Sequence, residues 1–374
     1  MTAVLRVVLD PTLDSVEHEG GRYALELARE IIASAPGGIE VEAIVPASSA
    51  AEYELLERRL PGLAQVHKSA FDKGTVRALW RRGVGVGAHG MVHAFDLMAP
   101  LTNGGRRLGD ARQTAVTIHD SLAWTAPGQL PRHEVSWRRS MISRAERYAD
   151  AIIVPNHEVA DDLEGIGRFG DRIHVIPGGT HLESTPPLDA AERARALGLP
   201  DRFLLAIGTG SARRTLLPLL RGLSRTDGPR IPLILVGWAD VEQACVEAGL
   251  DLSRVMALRS LDGDDYSTVL HYASVFVHPG PAEGFGLPLL DAMAVGVPVV
   301  HADDAALEEL TAGAALVVSR RDVIGFTASL AQHLDALLDD AQTLERMRFS
   351  GRDRARFFSW REAAEKVWQL HADL

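Results

Sequence analysis

Short apolar runs alternate with amphipathic stretches along nearly the whole chain. In the first half "AVLRVVLD", "IEVEAIVP", "MVHAF", "TAVTIHD", "AIIVP" and "RIHVIPGG" predict strands, with helices over "GRYALELAREIIA" and "VSWRRSMISRAERYA" between them. After "ESTPPLDAAERARALGLP" the rhythm restarts, and "FLLAIG", "PLILVG", "RVMAL", "SVFVHP", "PVVHA" and "AALVV" predict six more strands, each followed by a helical or turn-rich segment. The runs are continuous in Val, Ile and Leu instead of alternating with polar residues. Such strands are covered on both faces, as in parallel sheets. The pattern therefore predicts an α/β chain of two doubly wound, Rossmann-like domains, over 1–178 and 179–358, with a tail from Asp322 to Leu374 that is nearly all helix.

Ligands of doubly wound sheets bind beyond the carboxyl ends of the strands, and two sheets with facing carboxyl ends would form one cleft. Five segments follow predicted strands directly: "LDPTLDSVEHEGGRY", "IHDSLAW", "PGGTHLE", "IGTGSARRT" and "HPGPAEGFGLP". The last is the most informative, because "EGFGLPLLDAMAVGVPVV" sets Glu283 and Asp291 on either side of a helix start. Pro288 suits the first turn of that helix, and the glycines before it leave backbone N–H groups uncovered. Such an end attracts anions. With a phosphate there, the flanking carboxylates are available to hydroxyls of a sugar or ribose. In "LLAIGTGSARRTLLPLLRGL" the chain turns through Gly208 and Gly210 and presents Arg213 and Arg214 before a helix. Adjacent guanidinium groups can grip a diphosphate, and a solvated basic turn is the plainer alternative. "VTIHD" ends a strand in His119 and Asp120, either facing the cleft or capping the next loop. Gly20 and Gly21, before a helix start, allow backbone to approach a phosphate.

Composition narrows the classes. With 374 residues, 46% hydrophobic and 24% charged, the chain is an ordinary globular protein long enough for two cores. Its net charge of −11 argues against a general nucleic-acid binder. The single Cys245 excludes a disulfide framework and a multi-cysteine metal site. The start suits a buried strand and not a signal peptide, and no stretch approaches the roughly 20 apolar residues of a membrane span. The expected setting is cytoplasmic, with the inner face of the membrane as a further location. The segment 73–82, with Lys73, Arg77, Trp80, Arg81 and Arg82, reads either as a peripheral membrane contact or, more simply, as a solvated helix with Trp80 in the core.

Other patterns carry less. The GxGxxG at Gly85, Gly87 and Gly90 follows no strand and opens no helix, so it lacks the setting of a dinucleotide fingerprint. His89 and His93 have zinc-helix spacing but lie among glycines, which suits a loop entering a strand. Asp262, Asp264 and Asp265 in "LDGDDY" precede a helical pattern and are expected to cap it, not to hold a metal.

"VIPGGT", "AIGTGSARRTLLPLL", "LHYASVFVHP" and "EGFGLPLLDAMAVGVPVV", in this order and spacing, resemble the retaining glycosyltransferases of family four, which have the two-domain GT-B fold. "EGGRYALELAREI" and "VTIHDSLAW" resemble that family's acceptor domain, so the likeness covers most of the chain. The resemblance implies that Glu283 contacts donor-sugar hydroxyls, that Asp291, standing where the family usually has Glu, holds the ribose, and that Arg213 and Arg214, the latter in place of Lys, bind the diphosphate. It assigns His119 to the transferred sugar, Gly21 to the phosphates, the backbone of Phe285, Gly286 and Leu287 to the anion site, and the loop from Arg259 to Leu261 to the base. A final helix, over 359–374, is expected to pack back on the first domain. The implied activity is metal-independent and cofactor-free transfer of a hexose, with retention, from a nucleotide sugar to a glycan or lipid-linked acceptor. The "IGTGSARR" turn resembles the mannosyltransferase branch of the family, a likeness that tilts the expected donor toward GDP-mannose over a UDP-sugar. The alternatives are a non-catalytic nucleotide-sugar-binding subunit and a sugar-nucleotide epimerase of the same fold.

Overall fold

The computed structural model describes residues 3–10, 19–84, 90–102, 112–210, 213–238, 240–259, 261–281, 284–322 and 325–374, with backbone alone for residues 19, 112, 209, 210, 213 and 214. Two units divide the chain: Met1–Gly178 with Trp360–Leu374, and Gly179–Ser359.

The first unit holds seven strands: β1 (Ala3–Val8), β2 (Ile39–Ala47), β3 (Gln65–Asp72), β4 (Gly90–Ala94), β5 (Arg112–Thr117), β6 (Ala151–Val154) and β7 (Ile173–Val175). They lie in the order β3-β2-β1-β4-β5-β6-β7, all parallel. The order reverses between β1 and β4, so the crevice at their carboxyl ends is the place for a ligand. Six strands coincide with the apolar runs of the sequence. The seventh, β3, is an edge strand with mostly exposed or half-buried residues, so "QVHKSAFD" has no apolar run to betray it. "MVHAF" forms β4 with His93 buried inside it, while Gly85, Gly87 and His89 lie outside the described residues.

The second unit holds β8 (Leu204–Gly210), β9 (Leu233–Trp238), β10 (Val255–Leu258), β11 (Val275–His278), β12 (Val299–Ala302) and β13 (Leu316–Val318), in the order β10-β9-β8-β11-β12-β13. All six were legible as apolar runs. Here the order reverses between β8 and β11. The helix Arg213–Ser224 covers this sheet with Leu216, Leu219, Leu220 and Leu223, each at most 1% exposed and spaced i, i+3, i+4, i+7 along one face. Burying each such side chain contributes about 1.5–3 kcal/mol.

The last helix, Trp360–Asp373, belongs to the first unit and packs on the helix Glu19–Ala33. Trp360 stands edge-on to Tyr23 at 5.3 Å, and the Trp368 indole N–H donates to the Ile31 carbonyl at 3.2 Å. Further along, His371 Nε2 lies 3.4 Å from His93 Nδ1 on β4, with both rings buried.

Candidate active site

Each unit carries candidate site residues near its own switch point. In the first, β5 ends at Thr117 and the chain delivers His119 two residues later. The His119 ring lies 2.7 Å through Nε2 from the Phe95 carbonyl, which can only accept, so Nε2 carries the proton and Nδ1 is the acceptor of the neutral ring. Desolvation lowers its pKa, against the opposing pull of the Phe95 carbonyl, Asp96 and Asp120. The ring stands edge-on to Tyr23 at 4.9 Å, and a Cβ at Gly20 would touch it at 3.6 Å. The helix beginning at Glu19 therefore runs over His119. Gly21 lies within that helix, not in a loop ahead of it.

Beside His119 opens a pocket of about 140 Å³ at the carboxyl ends of β4 and β5, with Asp96, Asp120 and Arg138 on its walls. The helix Arg132–Tyr148 supplies Glu134, Trp137 and Arg138, and the helix Lys73–Arg81 supplies Lys73 and Arg77. Arg138 Nη1 reaches both oxygens of Asp120 at 2.7 Å, and its Nε donates to Glu134 at 3.1 Å. Desolvation works against the Arg138 charge, but Asp120 and Glu134 outweigh it and hold the guanidinium above its usual range. Arg77 donates to Glu134 at 2.7 Å and stacks on the Trp137 ring at 3.7 Å, while Lys73 pairs with Asp10. Asp96 accepts from the Met98 backbone N–H at 2.6 Å. It is an exposed residue at the rim, yet the desolvating pocket wall pushes its carboxyl upward. Trp80 is buried, as the solvated-helix reading of 73–82 requires. Of the charged pocket residues, Lys73, Arg77, His119 and Asp120 stood out in the sequence, whereas Asp96, Glu134 and Arg138 did not. Only the i, i+4 spacing of Glu134 and Arg138 hinted at a pair.

In the second unit the segments after β8 and β11 meet. A Cβ on Gly280 would lie 2.7 Å from Thr215 Cβ, so the loop after β11 passes directly over the first turn of the helix that Arg213 and Arg214 begin. The side chains of those two arginines lie outside the described residues, as does Glu283. Gly286 caps the helix Leu287–Val295 with φ 89° and ψ 36°, a left-handed conformation that favours glycine, and its carbonyl accepts from Leu289 and Leu290 at 3.0 Å each. Pro288 occupies the first turn of that helix. Phe285 is buried edge-on to Phe358 at 5.5 Å, and Leu287 is fully buried, so both side chains fix the turn from behind. Gly208 lies where a Cβ would fall 2.2 Å from the Trp238 indole, so an alanine there would displace the ring. Arg259 follows β10 and is exposed, while Leu261 is buried.

Asp291 differs from its expected setting. It is fully buried, and its oxygens accept from Thr180 Oγ1 at 2.6 Å and from the Tyr266 hydroxyl at 2.9 Å. With no exposed surface, this carboxylate can meet a ribose only if the packing around it opens. The shorter side chain thus ties the segment at Thr180 to two helices. Asp291→Asn is expected to lower unfolding stability by about 1–3 kcal/mol, the range for a hydrogen bond to a charged group, with donor KM nearly unchanged. Denaturant melts together with donor titration check both. Asp262 caps the helix Gly263–Tyr272 by accepting from Asp265 N at 2.7 Å, and Arg193 gathers Asp262, Asp264 and Asp265. These acids serve as the predicted cap.

Two doubly wound sheets on one chain, with a glycine-capped helix start and an arginine-led helix at the second switch point, are the architecture of the GT-B class. Residues 20–184 match the family described as Glycosyltransferase Family 4, and residues 204–340 match Glycosyl transferases group 1. The two matches cover most of the chain, which belongs to this glycosyltransferase family. O-antigen chain mannosyltransferase B of Escherichia coli is 28% identical over 263 residues, spanning 66% of this chain and 67% of that protein. A D-inositol 3-phosphate glycosyltransferase of Xylanimonas cellulosilytica is 26% identical over 397 residues, spanning 94% of this chain and 90% of that protein. Anabaena HepE, solved in complex with UDP and glucose, superimposes with a TM-score of 0.73 at 19% identity and covers 100% of both chains. Among the described residues no helix is long and apolar enough to cross a membrane.

Proposed function

We propose that the protein transfers a hexose from a nucleoside-diphosphate sugar to a hydroxyl of a glycan or lipid-linked acceptor, with retention at the anomeric carbon and without a metal ion. The observation that carries this is the left-handed Gly286 turn into the helix Leu287–Val295, at the end of the loop that crosses the start of the helix Arg213–Ser224 at Gly280 by the switch point. A helix start at such a place favours negative charge, as a leaving diphosphate requires.

In the proposed reaction the bond between the anomeric carbon and the phosphate oxygen breaks, its electron pair leaving on the diphosphate. The acceptor oxygen bonds to the same face of the sugar, and its proton passes to the departing phosphate oxygen. Arg213, Arg214 and the backbone of Phe285, Gly286 and Leu287 offset the charge on the diphosphate. By the family resemblance Glu283 is assigned to the sugar hydroxyls, neutral His119 to the transferred sugar, Gly208 and Gly21 to the phosphates, and Arg259 and Leu261 to the base. The protein mainly positions its partners and stabilises charge. Asp291, fully buried with Thr180 and Tyr266 on its carboxylate, is assigned no ribose contact in this reaction.

The mannosyltransferase from Escherichia coli supports GDP-mannose as the first donor to test, and Anabaena HepE, bound to UDP and glucose, supports UDP-glucose as the second. Nucleoside diphosphate release from a donor panel, with and without acceptor, tests the reading. Binding without release would make the chain a non-catalytic subunit. An inverted product anomer, or full loss of activity in EDTA restored by magnesium, would overturn retention or metal independence respectively.

A further inference from the structure

The pocket beside His119 is unusual in its charge pairing. Its cations are engaged from within: Arg138 by Asp120 and Glu134, Arg77 by Glu134 and the Trp137 ring, and Lys73 by Asp10. A phosphate entering here would have to strip Arg138 of a two-oxygen contact and would then face Asp120, Asp96 and Glu134, which line the same walls. Like charges brought together in a partly desolvated pocket repel strongly. Asp96 is differently placed. Among the described residues it has no ion pair within salt-bridge distance; its Oδ1 takes the Met98 N–H, and it lines the pocket together with His119. A carboxylate so placed suits hydroxyl donors.

We propose that this pocket takes an uncharged, hydroxyl-bearing acceptor group such as a terminal sugar ring, that Asp96 accepts a hydrogen bond from one of its hydroxyls, and that phosphorylated acceptors are rejected. This rests on the glycosyltransferase reading and deepens it by naming the acceptor class. Asp96 accepts a hydrogen bond and takes no proton; the proton of the reacting hydroxyl leaves on the donor phosphate as above. Asp120 acts through Arg138, as a specificity-determining residue.

The test begins with nucleoside diphosphate binding by calorimetry, since absence of binding would sink the glycosyltransferase reading and this inference with it. With binding established, kcat/KM is compared between neutral alkyl glycosides and the matching sugar phosphates, including an inositol phosphate. The best neutral acceptor is expected to exceed the best phosphorylated one by about tenfold or more, the scale of one hydrogen bond to a charged group. Asp96→Asn, which keeps the oxygen that Met98 needs, is expected to raise acceptor KM by about tenfold while donor KM shifts little. Asp120→Asn, which keeps the Leu122 N–H contact but loosens Arg138, is expected to make inorganic phosphate a competitive inhibitor against acceptor. A preference for phosphorylated acceptors, transfer to no neutral glycoside, or an unchanged acceptor KM in Asp96→Asn would each overturn the proposal, and phosphate that inhibits the native enzyme as well as Asp120→Asn would do the same.

Discussion

Arg213→Ala and Arg214→Ala are each expected to lower kcat by about two to three powers of ten, corresponding to roughly 3–4 kcal/mol of lost transition-state stabilisation. The expectation joins the family resemblance to topology. The helix these residues begin starts just beyond β8, one of the two strands at the switch point, and its first turn lies under the loop after β11 at Gly280. Charge on the diphosphate grows as the sugar departs, so a guanidinium contact there strengthens on the way to the transition state and enters kcat more than KM. Steady-state kinetics on both variants, with melting curves to confirm the fold, check this. Unchanged turnover in both would remove the pair from the site.

The second large effect is on stability in acid. Burial holds His371 at about 4 and pushes His93 well down as well, and among the described residues no carboxylate contributes to either shift. An unfolded histidine titrates near 6.5. Between these values the unfolded chain binds a proton that the native chain refuses, so stability is fully present above about pH 6.5 and falls as pH drops toward 4. For His371 alone the loss sums to about 3 kcal/mol, and it levels off below pH 4, where the native ring is protonated too. His93 adds to it in the same direction. Denaturant melts from pH 7 to pH 4 check the slope. His371→Leu, which fills the site without a titrating group, should flatten it by about one proton; an unaltered slope would place the acid sensitivity elsewhere.

What the sequence made legible follows from range. The strands of the second unit and all but β3 of the first announce themselves because each is a local apolar run, although β7, β10 and β13 are only partly buried. Edge strand β3 does not, since its exposed face removes the apolar signal. Gly286 and Pro288 were readable because a helix start is a local device. Asp291 shows the opposite case. Its motif position suggested a ribose contact, but its partners Thr180 and Tyr266 lie 111 and 25 residues away, and no local pattern reports them. The pairing of His93 with His371 spans 278 residues and was likewise invisible. The ion pairs that line the pocket near His119 join separate helices and loops, so the residues were visible but their mutual engagement was not.

The return of the last helix to the first unit has a consequence for how the protein is made. Tyr23, against which His119 rests, is itself backed by Trp360, and Trp368 and His371 complete the same layer. On the ribosome, Gly179–Ser359 is therefore synthesised before the residues that close the earlier unit. The half that is synthesised first is finished last, and until then its helix Glu19–Ala33 leaves apolar surface open to chaperones or to misassembly between nascent chains.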